Sequence, residues 1–114
     1  MRTRLAAMAD GEQYATFVAE VGGAVVGMAG AFVGRIYEED APVGRILALA
    51  VDKGLRGQNI GSLLLRAAEN WVRSQGAAML LVNSGSHRED AHRFYKTAGY
   101  ALKGLSFAKG LVKR

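Results

Sequence analysis

The sequence predicts an α/β (α+β) chain built on a mixed sheet, mostly antiparallel with one parallel pair at its centre. Three observations predict it. Two apolar, β-compatible runs, "YATFVAEV" and "AVVGMAGAFVG", meet at Gly22 and Gly23, the kind of residue pair a tight hairpin requires. A third run, "RILALAV", enters a glycine-containing loop and leaves it as a segment of helical periodicity. A fourth, within "AAMLLVNSG", follows that helix, so it should run parallel to "RILALAV" through a right-handed crossover.

Taken in order, the chain opens with Arg2 to Ala9, whose Leu5 and Met8 fall on one side and which reads as the end of a helix stopped by Gly11. The hairpin strands follow, then a polar loop, "RIYEEDAPVG", with the one proline, Pro42. "RILALAV" is apolar at nearly every position and is expected to be covered on both faces. The next helix is expected from about Gly61 to Gln75, with apolar residues at Ile60, Leu63, Leu64, Ala67, Ala68 and Trp71 and a stop at Gly76. A shorter helix is expected in "SHREDAHRFYKTAGY", capped by Ser86 and ended by Gly99, before two short strands around Gly104. The predicted order is β-β-β-α-β-α-β-β.

At 114 residues, with 50% apolar residues and 15 glycines, the chain is expected to be one soluble domain. It holds no cysteine, which excludes disulfides, thiolate chemistry and cysteine-ligated metals, and no metal site is expected. The net charge of +5 comes from lysines and arginines spread from Arg2 to Arg114, interrupted by Glu38, Glu39 and Asp40. A basic surface of that kind suits a polyanionic cofactor, and neither nucleic acid nor membrane is expected as a partner. The N-terminal apolar stretch is too short to act as a secretion signal, so the cytoplasm is the expected location.

The loop between strand and helix carries the chemistry. Its small residues leave backbone N–H groups bare at a helix start, where the dipole favours an anion and phosphate is the usual occupant. Two familiar phosphate motifs fail. A P-loop needs lysine after its last glycine, and Gly61 is followed by Ser62; the dinucleotide fingerprint needs two glycines one residue apart, and Gly57 and Gly61 are four apart. What stands there is Arg56-Gly57-Gln58-Asn59-Ile60-Gly61-Ser62.

This loop resembles the pyrophosphate loop of the GNAT superfamily of acetyl-CoA-dependent N-acetyltransferases, Q/R-x-x-G-x-G/A, at Arg56, Asn59 and Gly61. Asn59 stands where the family has glycine, a modest departure because asparagine tolerates a left-handed backbone. A second segment, "AHRFYKTAGY", is similar to the family's A-x-x-F/L-Y-x-x-x-G-F/Y. The resemblance spans about Arg45 to Tyr100. It implies a single domain over 1–114 that lacks the usual first strand and first helix, a sheet whose fourth and fifth strands splay apart, and helices on both faces.

The same resemblance implies a cofactor, acetyl-CoA, and a set of residues to hold it. Pantetheine would pair with the backbone at Leu49, Ala50 and Val51, the pyrophosphate would rest on Arg56, Gly57, Gln58, Asn59, Ile60, Gly61 and Ser62, and Asn83 would hydrogen-bond pantetheine or the acceptor. Tyr95 matches the family tyrosine whose hydroxyl protonates the leaving thiolate, a role a phenol suits because it keeps its proton at neutral pH. The expected reaction is direct acetyl transfer to a primary amine. A non-catalytic acetyl-CoA-binding or interaction module of the same fold is the alternative.

No base is assigned: "RILALAV" holds no acid, and Asp52, Glu20, Glu38, Glu39, Asp40, His87 and His92 are all open. The acceptor is equally open, among amino acids, aminophosphonates, polyamines, aminoglycosides and protein termini. Because the strand from Tyr14 to Val21 is expected to be a bare apolar edge, and because the shortened start leaves the acceptor wall incomplete, a homodimer is expected too.

Overall fold

The computed structural model describes residues 3–9, 13–35, 41–55, 59–82, 89–101 and 109–111, in two compact units, Met1–Asn83 and Ser84–Arg114. The first unit is a five-stranded sheet in the order β1-β2-β3-β4-β5. Its strands are β1 (Thr3–Ala9), β2 (Tyr14–Val21), β3 (Ala24–Gly34), β4 (Val43–Val51) and β5 (Met79–Val82). A short 3-10 turn, Lys53–Leu55, and helix α1, Ile60–Ser74, join β4 to β5. The second unit contributes α2, Glu89–Thr97.

Pairing is antiparallel from β1 through β4 and parallel between β4 and β5, which is the mixed sheet that the strand–helix–strand pattern predicts. Gly22 and Gly23 make the β2–β3 turn with φ of 60° and 84°, both in the region that a type I′ hairpin demands and that side chains resist.

The opening segment corrects the sequence reading. Residues Thr3–Ala9 form a strand, not a helix end, paired with β2 from Thr3↔Val21 to Ala9↔Ala15. Alanines give this stretch helical propensity, but seven residues of ladder on a preformed hairpin outweigh it. The correction removes one of the two grounds on which a dimer was expected, because β1 covers the β2 edge. Among the described residues β1 is itself the edge strand, and its Arg4, 74% exposed, pairs across the ladder with Glu20 at 4.0 Å. A charge on an edge discourages further strand addition.

One face of the sheet packs on α1. Gly27 and Gly44 identify it, since a Cβ at Gly27 would lie 3.0 Å from Leu64 Cδ1 and one at Gly44 would lie 2.4 Å from Val72 Cγ1. By the alternation of strands, Phe17, Ala19, Ala29, Ala31 and Ile46 share that face, and all are buried. They meet Ile60, Leu64, Leu65, Ala68 and Val72 of α1. The buried stripe is thus turned slightly from the expected one, leaving Leu63 37% exposed. Gly76, at φ 90°, ends α1 as expected, with Gly76 N–H on Arg73 O and Ala77 N–H on Val72 O. Ser86 and the strands expected around Gly104 lie outside the described residues.

Candidate functional site

The interior of β4 changes character at Leu47. From Val43 to Ile46 the strand is paired on both sides, with β3 and with Met79–Val82 of β5. The β3 register then slips: Ala31 faces Ile46 and Gly30 faces Ala48, so Leu47 is an extra residue, a β-bulge, 56% exposed. Beyond it, β4 is paired among the described residues with β3 alone, and Ala48 and Ala50 are exposed. The expectation that "RILALAV" is covered on both faces therefore holds only for its first part. The bulge follows directly on Ile46, the last β4 residue paired with β5 among the described residues.

Hydrogen-bond alternation tells which groups the open half offers. Asp52 N–H donates to Val26 O at 2.7 Å, which puts Val26 and Asp52 at a hydrogen-bonded position of the ladder and, two residues back, Met28 and Ala50 at another. The peptide N–H and C=O of Leu49 then point away from β3. Ala50 turns its peptide groups to Met28 and presents its small side chain, while Val51 has the parity of Leu49. At the end of this half lies a shallow cavity of about 210 Å³ whose lining includes Gly27, Met28, Ala50 and Val51. A Cβ at Gly27 would also sit 3.0 Å from Ala50 O, so this glycine lets β3 approach β4 closely.

The start of α1 completes this end of the sheet. Asn59, its N-cap residue, has φ 63° and ψ 11°, the left-handed conformation, and among the described non-glycine residues no other has a positive φ. Asn59 O accepts the Leu63 N–H at 3.0 Å, and its side chain makes no capping hydrogen bond. The N–H groups of Ile60, Gly61 and Ser62 consequently have no intrahelical acceptor, and the first turn carries no acid to compete for them. Gly61 is half-buried and Ser62 exposed, so a ligand can approach both.

In the second unit, α2 presents Phe94 and Tyr95 half-buried, with ring centroids 5.2 Å apart in an edge contact. Gly99, at φ 98°, ends the helix: its N–H donates to Lys96 O at 3.0 Å and Tyr100 N–H donates to Tyr95 O at 2.9 Å. The Tyr100 ring lies 5.6 Å from that of Tyr95, again edge-on.

Arg56, Gly57, Gln58 and Asn83, four of the residues singled out in the sequence, lie outside the described residues, as do Glu38, Glu39, Asp40 and His87. Of the remaining candidate bases, Asp52 is exposed after β4, Glu20 is engaged by Arg4, and His92 is half-buried on α2. Sequence reasoning missed the Leu47 bulge, for which an unbroken apolar run gives no signal. It also passed over Gly27 and Gly44, although an isolated glycine inside a strand is the usual sign of a close backbone approach.

Among the described residues, β4 beyond Leu47 is thus paired on one side and is followed by an uncapped helix start. Residues 2–100 match the model of the acetyltransferase (GNAT) family. The chain belongs to that family. Over 69 residues, 60% of this chain, it is 42% identical to an aminoalkylphosphonate N-acetyltransferase of Salmonella typhimurium, of which the match covers 45%. It spans less than half the length of each of the curated relatives it matches. Among solved structures, an aminoglycoside acetyltransferase, meta-AAC0020, from an uncultured soil metagenomic sample superposes with a TM-score of 0.81. That likeness covers 91% of this chain and 69% of the other at 24% identity, and it speaks for the fold. AAC(6')-Iy, solved with a bisubstrate analogue of CoA, superposes with a TM-score of 0.79 at 17% identity over 90% of this chain and 72% of that one.

Proposed function

We propose that this chain transfers the acetyl group of acetyl-CoA to a primary amine by direct attack. The observation that carries the reading is the Leu47 bulge, beyond which Leu49 turns its N–H and C=O away from β3. An extended diamide can pair with such groups as a missing strand would. The N–H groups of Ile60, Gly61 and Ser62, joined by Arg56, Gly57 and Gln58, hold the pyrophosphate, and Asn59 turns the backbone so that they converge. Asn83, just after β5, bonds pantetheine or the acceptor.

Acetyl-CoA, when bound, supplies the activated thioester. The amine nitrogen forms its bond to the acetyl carbon as the carbon–sulfur bond breaks, and the Tyr95 hydroxyl gives its proton to the departing thiolate. The amine's own proton leaves to solvent or to a base among the acids and histidines named above. The proposed setting is the cytoplasm. For a homodimer, β1 with its Leu5 37% exposed is the strand edge that the described residues offer beside β2.

One observation favours a second reading, a binding module without turnover. The family fold places two helices ahead of its first hairpin, where they wall the acceptor site, yet only residues 10–13 lie between β1 and β2. A thiol-release assay with acetyl-CoA and a panel of aminoalkylphosphonates, aminoglycosides, amino acids, polyamines and peptide N-termini separates the two. Turnover with any amine, reduced about 10²-fold in Tyr95→Phe at unchanged acetyl-CoA affinity, is expected. Calorimetric binding of acetyl-CoA without turnover across the panel would leave the module reading. Absence of both binding and turnover would defeat both.

A further inference from the structure

The two helices end in the same way but close with different side chains. In α1 the six-residue bond runs from Ala77 N–H to Val72 O at 3.3 Å and the inner bond from Gly76 N–H to Arg73 O at 3.1 Å. In α2 the equivalent bonds run from Tyr100 N–H to Tyr95 O at 2.9 Å and from Gly99 N–H to Lys96 O at 3.0 Å. Both are Schellman motifs, with Gly76 at φ 90° and Gly99 at φ 98°. Such a motif brings the residue after the glycine against the one five positions back. In α1 that contact joins two small core residues, Ala77 and Val72, 7% and 3% exposed. In α2 it joins two half-buried aromatic rings, and the residue five positions back is Tyr95 itself.

We infer that Tyr100 is a positioning residue for the proton donor: the Gly99 cap swings its ring against Tyr95, and with Phe94 it fixes the direction of the Tyr95 hydroxyl. The inference rests on the reading of Tyr95 as the acid. An alanine closes α1 adequately, so helix termination alone does not call for an aromatic ring at this place. Edge contacts at 5.2 Å and 5.6 Å, inclined at 73° and 70°, brace the Tyr95 ring from Phe94 and from Tyr100. A donor aimed in this way meets the departing sulfur without a search over ring orientations, and small misplacements of a reacting group are costly to rate.

The test compares Tyr100→Ala, Tyr100→Leu and Tyr100→Phe, each alone and combined with Tyr95→Phe. Turnover at saturating acetyl-CoA is measured alongside NMR of ring-labelled tyrosines, with the Tyr95 signal assigned by its loss in Tyr95→Phe. Tyr100→Phe should keep both the ring signal and the rate. Tyr100→Leu, which retains an apolar cap, and Tyr100→Ala should shift or broaden the Tyr95 signal and lower turnover about tenfold, with acetyl-CoA affinity unchanged. In the Tyr95→Phe background the same changes should cost nothing further, because Tyr100 acts through the hydroxyl already removed. An unmoved Tyr95 signal in Tyr100→Leu, or losses that add in the double variants, would overturn the inference. Normal turnover in Tyr95→Phe would instead overturn the acid and with it the catalytic use of the brace, while the ring signal would still report whether Tyr100 holds Tyr95.

Discussion

The two halves of β4 share a nearly uniform apolar composition and have opposite fates. Val43 and Ile46 are 3% and 8% exposed and lie in a part of the strand paired on both sides. Leu47, next in line, is 56% exposed and begins the half in which β3 is the only partner among the described residues. Hydrophobicity does not distinguish these halves. A single inserted residue, Leu47, marks the boundary, shifting the β3–β4 register by one where the described β5 pairing ends. The first half is therefore core, and the second turns the Leu49 peptide groups away from β3.

The largest effect expected from breaking this contrast lies in the closed half. At Gly44 a Cβ would lie 2.4 Å from Val72 Cγ1, 2.9 Å from its Cγ2 and 3.1 Å from Leu80 Cδ1. Gly44→Val forces β4, α1 and β5 apart and is expected to cost about 3 kcal/mol, seen as a fall in the thermal midpoint of many degrees. Activity per folded molecule should be little altered, since nothing in the open half touches the change. A stable Gly44→Val chain would show that the closed half is not packed as described.

Deletion of Leu47 attacks the contrast directly. Without the extra residue the β3–β4 register becomes continuous, and Leu49 and Val51 keep the face they share with Ile46, so the core survives. The local kink and added twist of the bulge are lost, which re-aims the Leu49 peptide groups. Acetyl-CoA affinity, read by calorimetry, should fall about tenfold or more, about 1.4 kcal/mol, with the thermal midpoint nearly unchanged. Unaltered affinity would separate the bulge from the cofactor site.

What the sequence disclosed follows the range of the interactions concerned. The Gly22–Gly23 turn, the stop at Gly76 and the parallel placement of β5 rest on local conformational preference or on connection rules, and all three were legible. The strand Thr3–Ala9 was not, because its alanines favour a helix in isolation and only the ladder to β2 overrules them. The Leu47 bulge was hidden for a similar reason: which residue is extra depends on how two strands align, not on what the residue is. Of the candidate site, the Asn59 turn was readable because it is a property of one residue's backbone. The orientation of Leu49 was not, since it follows from a hydrogen bond between Asp52 and Val26, two strands' worth of context.

The smallest effect expected is also the most discriminating at the end of the open half. Asn59 is left-handed at φ 63° and makes no side-chain capping bond, so the part proposed for it is conformational: it turns the chain into the helix start that carries the Ile60, Gly61 and Ser62 amides. Glycine adopts that turn freely, and Asn59→Gly should leave acetyl-CoA affinity within about twofold of wild type, about 0.4 kcal/mol. Alanine lacks the tolerance, and Asn59→Ala should cost about 1 kcal/mol in stability or in affinity, depending on whether the turn is held or relaxes. The pair of variants separates backbone from side chain. If Asn59→Gly lost affinity as heavily as Gly61→Val, for which about tenfold is expected from blocked approach to the backbone, the Asn59 amide would itself be a ligand and the anion site would extend outward from the helix start. Calorimetric titration of the three variants with acetyl-CoA, at one fixed ionic strength because a phosphate contact is screened by salt, decides between them.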